Sequence, residues 1–230
     1  SFTLAAQRAR QTSATGRIFR RSSADTAPET MFYDARKNNH GLPHDPFKAI
    51  VAPRPIGWIT SMSARGEVNL APYSFFNGVN SKPNLVMFAS EGHKDSVSFI
   101  EETGEFVCNL ATWDLREAMN ETSAPMPRGL SEMRRAGLEP APCRLVKPPR
   151  VAASPCALEC KLLRIVTLDD LDGRPTGCHV VFGQVIGVHI EDRFLVNGRL
   201  DTAAMKPIAR CGYDEYAVVE AVFSMKRPNA

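Results

Sequence analysis

Two neighbouring segments of the chain, residues 54–61 and 69–77, carry side chains whose types and spacing suit the binding of a flat polar ring. Together they supply the hydroxyl groups of Thr60, Ser61, Tyr73 and Ser74. Hydroxyls donate and accept hydrogen bonds without carrying charge. Ala71 and Pro72 keep the surface beside them small, which lets a planar ring approach the backbone. We therefore expect a ligand site here.

The two segments must lie side by side for such a site to form, and their pattern predicts a β-hairpin. Residues 56–62 alternate and are rich in bulky and β-branched side chains, residues 63–66 read Ser-Ala-Arg-Gly, and residues 67–73 resume an extended pattern. Alternation on both sides of a glycine-containing turn is typical of two antiparallel strands.

The rest of the chain is predicted to add strands separated by turns and a few helices. Strands are predicted at 84–90, 105–111, 156–168, 178–190 and 216–225, helices at 95–102, 113–122 and 202–209, and a turn at 196–199. Asp95 is the expected N-cap of the first helix. Many antiparallel strands with interspersed helices favour a mainly β fold, a closed barrel and not an alternating βαβ sheet.

Two further stretches bear on a ligand site. In 178–190, alternation places His179, Gly183 and Gly187 on one face, where the glycines are expected to leave room for something to approach. Seven prolines between Pro125 and Pro155 predict a long irregular excursion, which compact domains tolerate mainly near a functional mouth or a subunit contact. This excursion is a lid candidate.

Composition excludes several classes of protein. With 230 residues and 43% apolar content, the chain can bury a core of its own as one domain. The net charge of +3 is carried entirely by residues 1–30, so no basic face for nucleic acid is expected. No apolar run approaches the ~18 residues of a membrane span. The six cysteines show no zinc-site spacing, which predicts reduced thiols, no metal and a reducing compartment.

Residues 1–45 are predicted to form an N-terminal extension or arm, and residues 46–230 the main domain. Residues 1–30 are rich in Ser, Thr and Arg and poor in acids, a composition that mitochondrial transit peptides share. We favour the alternative, an arm packed on its own chain or on a partner subunit, and a cytoplasmic location.

The run from about Pro46 to Met225 resembles the flavin reductase-like family of FMN-binding split barrels. Three motifs match in order: Arg-Pro-Ile-Gly-Trp-Ile-Thr-Ser at 54–61, Asn-Leu-Ala-Pro-Tyr-Ser-Phe-Phe-Asn at 69–77 with Ser-Lys-Pro at 81–83, and Lys-Asp-Ser at 94–96. Residues 177–185 are similar to the family's Gly-Asp-His strand, with Cys178 in place of the acid. Residues 210–213 and Tyr216 resemble its late Arg-x-Gly-Gly and Tyr elements, without the second glycine. The resemblance implies a Greek-key antiparallel barrel with peripheral helices, forming a homodimer with FMN near the subunit interface.

The resemblance also implies which residues form the site. The expected cofactor-binding residues are Trp58, Ile59, Thr60, Ser61, Ala71, Pro72, Tyr73, Ser74, Phe75, Phe76, Ser90, His93, Lys94, Asp95 and Ser96. Within this set Thr60, Ser61, Lys94 and Ser96 would surround the phosphate, together with amides at a helix start. The alternatives are core packing for the aromatic residues and a solvated helix start for Lys94 and Ser96.

His179, Arg210 and Tyr213 are the expected catalytic residues. His179 would position the nicotinamide or steady charge on the reduced flavin, and the alternative is a structural histidine between strands. Arg210 would supply a cation for a nucleotide phosphate.

The function that the resemblance implies is FMN-dependent NAD(P)H:flavin oxidoreduction. The chain has no Gly-x-Gly-x-x-Gly motif, so a nicotinamide is expected to bind transiently by stacking over the exposed flavin. Electrons would pass to free flavin, a partner monooxygenase or another acceptor. Two alternatives stay open: an FMN-binding electron carrier with little direct NAD(P)H activity, and a barrel that binds no flavin and serves as an interaction module.

Overall fold

The computed structural model describes residues 30–228. Its strands are β1 (Arg54–Pro55), β2 (Gly57–Met62), β3 (Val68–Tyr73), β4 (Phe76–Ser81), β5 (Asn84–Glu91), β6 (Glu105–Leu110), β7 (Pro140–Ala141), β8 (Arg150–Val151), β9 (Cys156–Asp169), β10 (Pro175–Ile190), β11 (Leu195–Val196), β12 (Arg199–Leu200), β13 (Ile208–Arg210) and β14 (Tyr216–Val218). Its helices are α1 (Phe47–Ile50), α2 (Asp95–Thr103), α3 (Arg116–Glu121), α4 (Glu132–Arg135) and α5 (Thr202–Met205), with 3-10 turns at Trp113–Leu115 and Asp192–Phe194.

The predicted hairpin is confirmed. β2 and β3 pair antiparallel, from Gly57 opposite Tyr73 to Met62 opposite Val68. The turn closes where the Ser63 amide donates to the Glu67 carbonyl at 2.9 Å.

Seven strands form the main sheet, in the order β3-β2-β6-β9-β10-β5-β4, and all neighbours are antiparallel. Its two edge strands, β3 and β4, are consecutive in the chain and are linked only by Ser74 and Phe75. Six inter-strand spacings of about 4.8 Å would hold the edges of a flat sheet nearly 30 Å apart. A two-residue link spans only about 10 Å, so the sheet must curve until its edges approach each other. This is the predicted antiparallel split barrel, with its split between β3 and β4.

The two faces of β2 contribute to two different hydrophobic cores because successive side chains point to opposite sides of a strand. Ile59 packs with Phe88, Phe106 and residues of α2 in one cluster. Trp58 packs in the other, and its Nε1 donates to Thr122 Oγ1 at 2.9 Å. Both β2 side chains are fully buried.

The prediction that Gly183 and Gly187 leave room for a ligand is wrong. A Cβ at Gly183 would lie 2.3 Å from Phe106 Cζ, and one at Gly187 would lie 3.2 Å from Glu159 Cδ. Register shifts between β10 and β9, adjacent to both glycines, interrupt the simple alternation. The glycines admit side chains of this chain's own β6 and β9.

Three local predictions also need correction. Lys94, not Asp95, is the N-cap of α2, and no side chain among residues 30–228 caps the helix. The helix expected at 202–209 ends at Met205, because Lys206 is left-handed with φ 48° and Ile208 begins β13. The strand expected at 216–225 ends at Val218, because β13, its partner, offers only three residues to pair with.

The chain divides into two compact units, one ending at Pro43 and one beginning at His44. In the first, the amides of Lys37 and Asn38 both donate to the Asp34 carbonyl at 3.0 Å. The predictions of a transit peptide or a packed arm fall on residues 1–29, outside the described residues, and the predicted boundary at residue 46 stays a prediction. Within residues 30–228, no helix is long and apolar enough to cross a membrane.

Candidate functional site

A cavity of about 640 Å³ lies where the barrel splits, and we call it the split cavity. Its walls come from the end of β3, the link Ser74–Phe75, the end of β5, the start of α2, and residues 122–126 after α3. Ligand pockets in proteins fall in the range of about 300–1,000 Å³. The curvature that brings the sheet edges together therefore also produces a space of ligand size.

The structure brings eight of the predicted cofactor-binding residues to the wall of this cavity. They are Ala71, Pro72, Tyr73, Ser74, Phe75, Lys94, Asp95 and Ser96. The others, Trp58, Ile59, Thr60, Ser61, Phe76, Ser90 and His93, are not among the lining residues. The motifs at 69–77 and 94–96 thus meet in space, whereas the motif at 54–61 lies one strand further in.

Both faces of β2 pack into hydrophobic cores, which explains why its side chains do not reach the cavity. Its neighbours in the sheet are β3 and β6. Asn109 of β6 donates from Nδ2 to Thr60 Oγ1 at 2.9 Å, so this hydroxyl is already engaged. Ser61 is fully buried, and its hydroxyl has no hydrogen-bond partner among residues 30–228.

Asn69, the cross-strand neighbour of Ser61, links β3 to α2 at the cavity wall. Its Nδ2 donates to Ser96 Oγ at 2.7 Å, and both residues are buried. Burial raises the pKa of the Tyr73 phenol, and the nearby hydroxyls of Ser96 and Ser90 oppose the rise. At neutral pH Tyr73 is therefore a protonated donor, beside the hydrogen-bonded pair of Asn69 and Ser96.

Glu132 was missed by the sequence analysis and is the buried carboxyl of the split cavity. It begins α4, and its Oε2 accepts the Leu70 amide of the edge strand β3 at 3.1 Å. Burial raises the pKa of this carboxyl, hydrogen bonds to backbone amides oppose the rise, and the charge of Asp95 adds to it. The proline-rich stretch 125–155 contains Glu132, so the lid candidate does contribute to the cavity wall.

Cations stand at two places around the split cavity. Lys94 is exposed at the start of α2, and no carboxylate in residues 30–228 forms an ion pair with it. Since no side chain in the described part of the chain caps α2, its first amides are donors that an anion can use. Lys48 also lines the cavity, but its Nζ lies 3.7 Å from Glu91 Oε1 and its charge is partly neutralised.

Arg54, of the Arg-Pro motif, is buried next to the cavity wall and stabilises it through hydrogen bonds. It is 5% exposed, and its guanidinium donates to the carbonyl oxygens of Lys48, Val51 and Cys211 and to Ser74 Oγ. Bonds to three carbonyls and a hydroxyl satisfy most of its donors without a carboxylate. Arg54 thereby fixes the link between β3 and β4, which explains the arginine in this motif.

The expected catalytic residues are not among the residues that line the split cavity. The His179 ring lies edge-on to His93 with centroids 5.3 Å apart, and His93 Nε2 is 2.7 Å from Glu101 Oε2. Arg210 donates to Tyr216 Oη at 2.6 Å and to the Tyr213 carbonyl, in a different cavity. Their catalytic roles stay predictions.

Cys143, Glu159 and His189 come together with ligand atoms within 4.8 Å of one another, a grouping that no local spacing indicates. The Glu159 carboxylate accepts three amides, from residues 144–146, and His189 Nε2 lies 2.6 Å from its Oε1. Burial opposes ionisation of Glu159, but these bonds outweigh it and lower its pKa. The carboxylate serves as an anchor for the backbone at 144–146, with its acceptor positions already used.

Other proteins are similar to this chain in sequence and in fold. Residues 51–202 match the family model for the flavin reductase like domain. An uncharacterised protein of Halalkalibacterium halodurans is 34% identical over 200 residues, which cover 84% of this chain and 93% of that protein. Nitrilotriacetate monooxygenase component B from Bacillus cereus is 28% identical with a TM-score of 0.77, covering 86% of this chain and 100% of that chain. Flavoredoxin of Desulfovibrio vulgaris, 17% identical with a TM-score of 0.66 over 75% of this chain and 90% of its own, shares the fold. By the match of its sequence over residues 51–202, this chain belongs to the flavin reductase like domain family.

Proposed function

We propose that this chain is an FMN-dependent NAD(P)H:flavin oxidoreductase that holds FMN non-covalently in the split cavity. The observation that carries the proposal is the convergence of neutral donors, small apolar residues and a cation from separate segments on one cavity of about 640 Å³. A flavin has the matching parts: a flat apolar ring system, a polar edge and a phosphate.

The donor set suits the ring and its polar edge. Ala71, Pro72 and Ala89 give the cavity small apolar surfaces on which a planar ring can lie. The Tyr73 hydroxyl is held as a donor by burial, and Ser74 is held in place by Arg54.

The start of α2 suits the phosphate. Lys94, the side chain of Ser96 and the uncapped amides of the first turn combine positive charge with hydrogen-bond donors. Asp95 and Glu132 line the same cavity and oppose an anion when ionised. The attraction of the phosphate to Lys94 therefore has to exceed its repulsion by the nearby carboxylates. Protonation of Glu132 removes one of these negative charges and favours phosphate binding.

When bound, FMN would accept a hydride from NAD(P)H and pass the electrons to an acceptor. The chain's own residues would hold and orient it: Tyr73 and Ser74 at the ring, Lys94 and Ser96 at the phosphate. The similarity to nitrilotriacetate monooxygenase component B supports a partner monooxygenase as one acceptor. The shared fold with flavoredoxin keeps the electron carrier as the second candidate.

We further propose that the protein is a cytoplasmic homodimer. The six cysteines are free thiols, which suits a reducing compartment. Exposed apolar side chains on the longest strands, among them Leu163 and Val188, offer surface for a second copy.

Anaerobic absorption spectra of the purified protein, before and after addition of NADH or NADPH, test the proposal. A yellow chromophore that bleaches with either nucleotide is the expected result. Colour that does not bleach would establish the electron carrier instead. A protein that stays colourless after incubation with FMN would refute flavin binding altogether.

A further inference from the structure

A second cavity, of about 440 Å³, lies between residues 113–120 and strands β13 and β14. We call it the arginine groove. None of its lining residues lines the split cavity. Its base is apolar, because Met119 and Ile208 of the second core cluster face it. The volume is enough for a small aromatic molecule or a nucleotide, for which pockets of roughly 300–1,000 Å³ are typical.

Two arginine–aromatic pairs stand at the rim of the groove. Arg116 Cζ lies 4.0 Å from the ring centroid of Trp113. Arg210 Cζ lies 4.6 Å from that of Tyr216. Trp113 is 43% exposed and Tyr216 is 41% exposed, although large aromatic residues usually bury more of their surface. Each rim therefore presents a partly open aromatic ring beside an oriented guanidinium.

The guanidinium groups are more sheltered than the acids beside them. The side chains of Arg116 and Arg210 are 39% and 27% exposed, whereas those of Glu117 and Asp214 are 84% and 108% exposed. Both acids also line the groove, but solvent screens such exposed carboxylates strongly, so the two ion pairs neutralise only part of the arginine charge. Each guanidinium also retains donors that no residue in 30–228 accepts, since five N–H groups exceed the partners found.

We propose that the arginine groove binds a small planar aromatic anion. Its ring would pack on the exposed parts of Trp113 and Tyr216 above the apolar base, and its carboxylate or phosphate would accept hydrogen bonds from Arg116 and Arg210. An aromatic carboxylic acid and a purine nucleotide both have this chemistry. The site is separate from the split cavity and does not depend on flavin binding.

The test is to titrate the full chain with salicylate and with AMP. Calorimetry measures binding, and NMR monitors the signals of the tryptophan indole groups. The chain has two tryptophans, and the Nε1 of Trp58 is buried against Thr122. At least one anion is expected to bind, to shift the Trp113 indole signal and to leave the Trp58 signal unchanged. The Trp113 signal is assigned as the one that is missing from the spectrum of Trp113→Leu. Binding of salicylate alone identifies the aromatic acid, and binding of AMP alone identifies the nucleotide.

Arg116→Gln and Arg210→Gln are each expected to weaken the binding of that anion at least tenfold. Arg193→Gln is the matched control, because Arg193 also stacks on an aromatic ring, Phe194 at 4.7 Å, but does not line the groove. Adenosine and salicylamide, the uncharged analogues, are expected to bind weakly. Thermal melts check that each variant is folded. If Trp113→Leu does not fold, Arg116→Gln, which changes a side chain at the surface, still tests the groove. The proposal is overturned if neither anion binds, if the uncharged analogues bind equally well, or if binding survives both arginine substitutions.

Discussion

At the scale of single residues, charge balance decides how the split cavity would treat a phosphate. Lys94 stands at an uncapped helix start, while Asp95 and Glu132 bring carboxyl groups to the same wall. A charge-assisted hydrogen bond contributes about 1.5–3 kcal/mol, so one residue on either side can change affinity by an order of magnitude or more. The predictions for these residues separate the phosphate from the flavin ring.

Lys94→Ala should weaken FMN binding by about tenfold to a hundredfold and riboflavin binding by much less, because only FMN carries the phosphate. Fluorescence titration with both ligands measures the two affinities. Lys206→Ala is the matched control, since Lys206 pairs with Glu220 at 3.8 Å and does not line the cavity. Equal loss for FMN and riboflavin would remove Lys94 from the phosphate site.

Glu132→Gln should change the pH dependence of stability. Burial raises the pKa of Glu132 above its ordinary value of 4.5, so the folded chain holds this proton more tightly than the unfolded chain does. The stabilisation from that proton is complete below about pH 4.5 and is lost as the pH rises through the raised pKa. Denaturant unfolding from about pH 4 to about pH 8 should show the wild type losing stability relative to the variant.

Glu117→Gln serves as the control for this titration, because the Glu117 side chain is 84% exposed. A wild type and a Glu132→Gln variant whose unfolding free energies stay parallel over the whole pH range would contradict the burial effect at Glu132.

His179→Ala should slow reduction of bound flavin by NAD(P)H and leave the flavin spectrum nearly unchanged. The reason is the role that the family resemblance implies for His179, which is to position the nicotinamide. Its ring lies edge-on to that of His93, which precedes Lys94 in the chain. Stopped-flow reduction and thermal melting distinguish the two readings of this residue. An unchanged rate together with a lower melting temperature would make His179 a structural residue.

At the scale of elements, β10 shows how strand packing uses glycine. Gly183 is where the ring of Phe106, from β6, lies against the strand. The irregularities in its pairing with β9 occur next to Gly183 and Gly187 and shift which face each side chain takes. The glycines are therefore required by core packing between neighbouring elements.

Gly183→Ala should destabilise the fold by about 1–3 kcal/mol, because the new methyl group would overlap the Phe106 ring. Gly78→Ala on the edge strand β4 is the control, since the nearest atom to a Cβ there is the Leu85 carbonyl oxygen at 3.9 Å. Denaturant unfolding of both variants measures the difference. If Gly183→Ala is as stable as the control, the space beside Gly183 is open after all, and a ligand could enter it.

At the scale of the whole molecule, the split cavity and the exposed apolar strands raise the question of assembly. Val188 of β10 is 54% exposed and Leu163 of β9 is 50% exposed. Apolar side chains on a long, exposed pair of strands are a common basis for association of two copies.

The protein should sediment as a dimer at micromolar concentration, and Val188→Glu should shift it toward monomer by placing a charge in the apolar contact. Leu171→Glu is the control, because Leu171 is 91% exposed in the turn between β9 and β10. Sedimentation equilibrium measures both. A monomer that still binds FMN tightly would contradict a site shared between subunits.

The sequence by itself determined the features that depend on neighbouring residues. The alternation on both sides of Ser63–Gly66 was enough for the β2–β3 hairpin, because a turn and two strands are set by local propensity. The motifs at 69–77 and 94–96 contain nine residues of the cavity wall, and their order along the chain was enough to indicate the family.

Only the tertiary structure decided which of these side chains face the split cavity and what else joins them. Thr60 and Ser61 lie inside because both faces of β2 pack against segments that are distant in the chain. Glu132 enters the cavity wall from the irregular proline-rich stretch, and Thr122 enters it from the end of the helix predicted at 113–122. Packing between distant segments determines strand order, pairing irregularities and the curvature of the sheet. These features cannot be predicted from the spacing of residues within one segment.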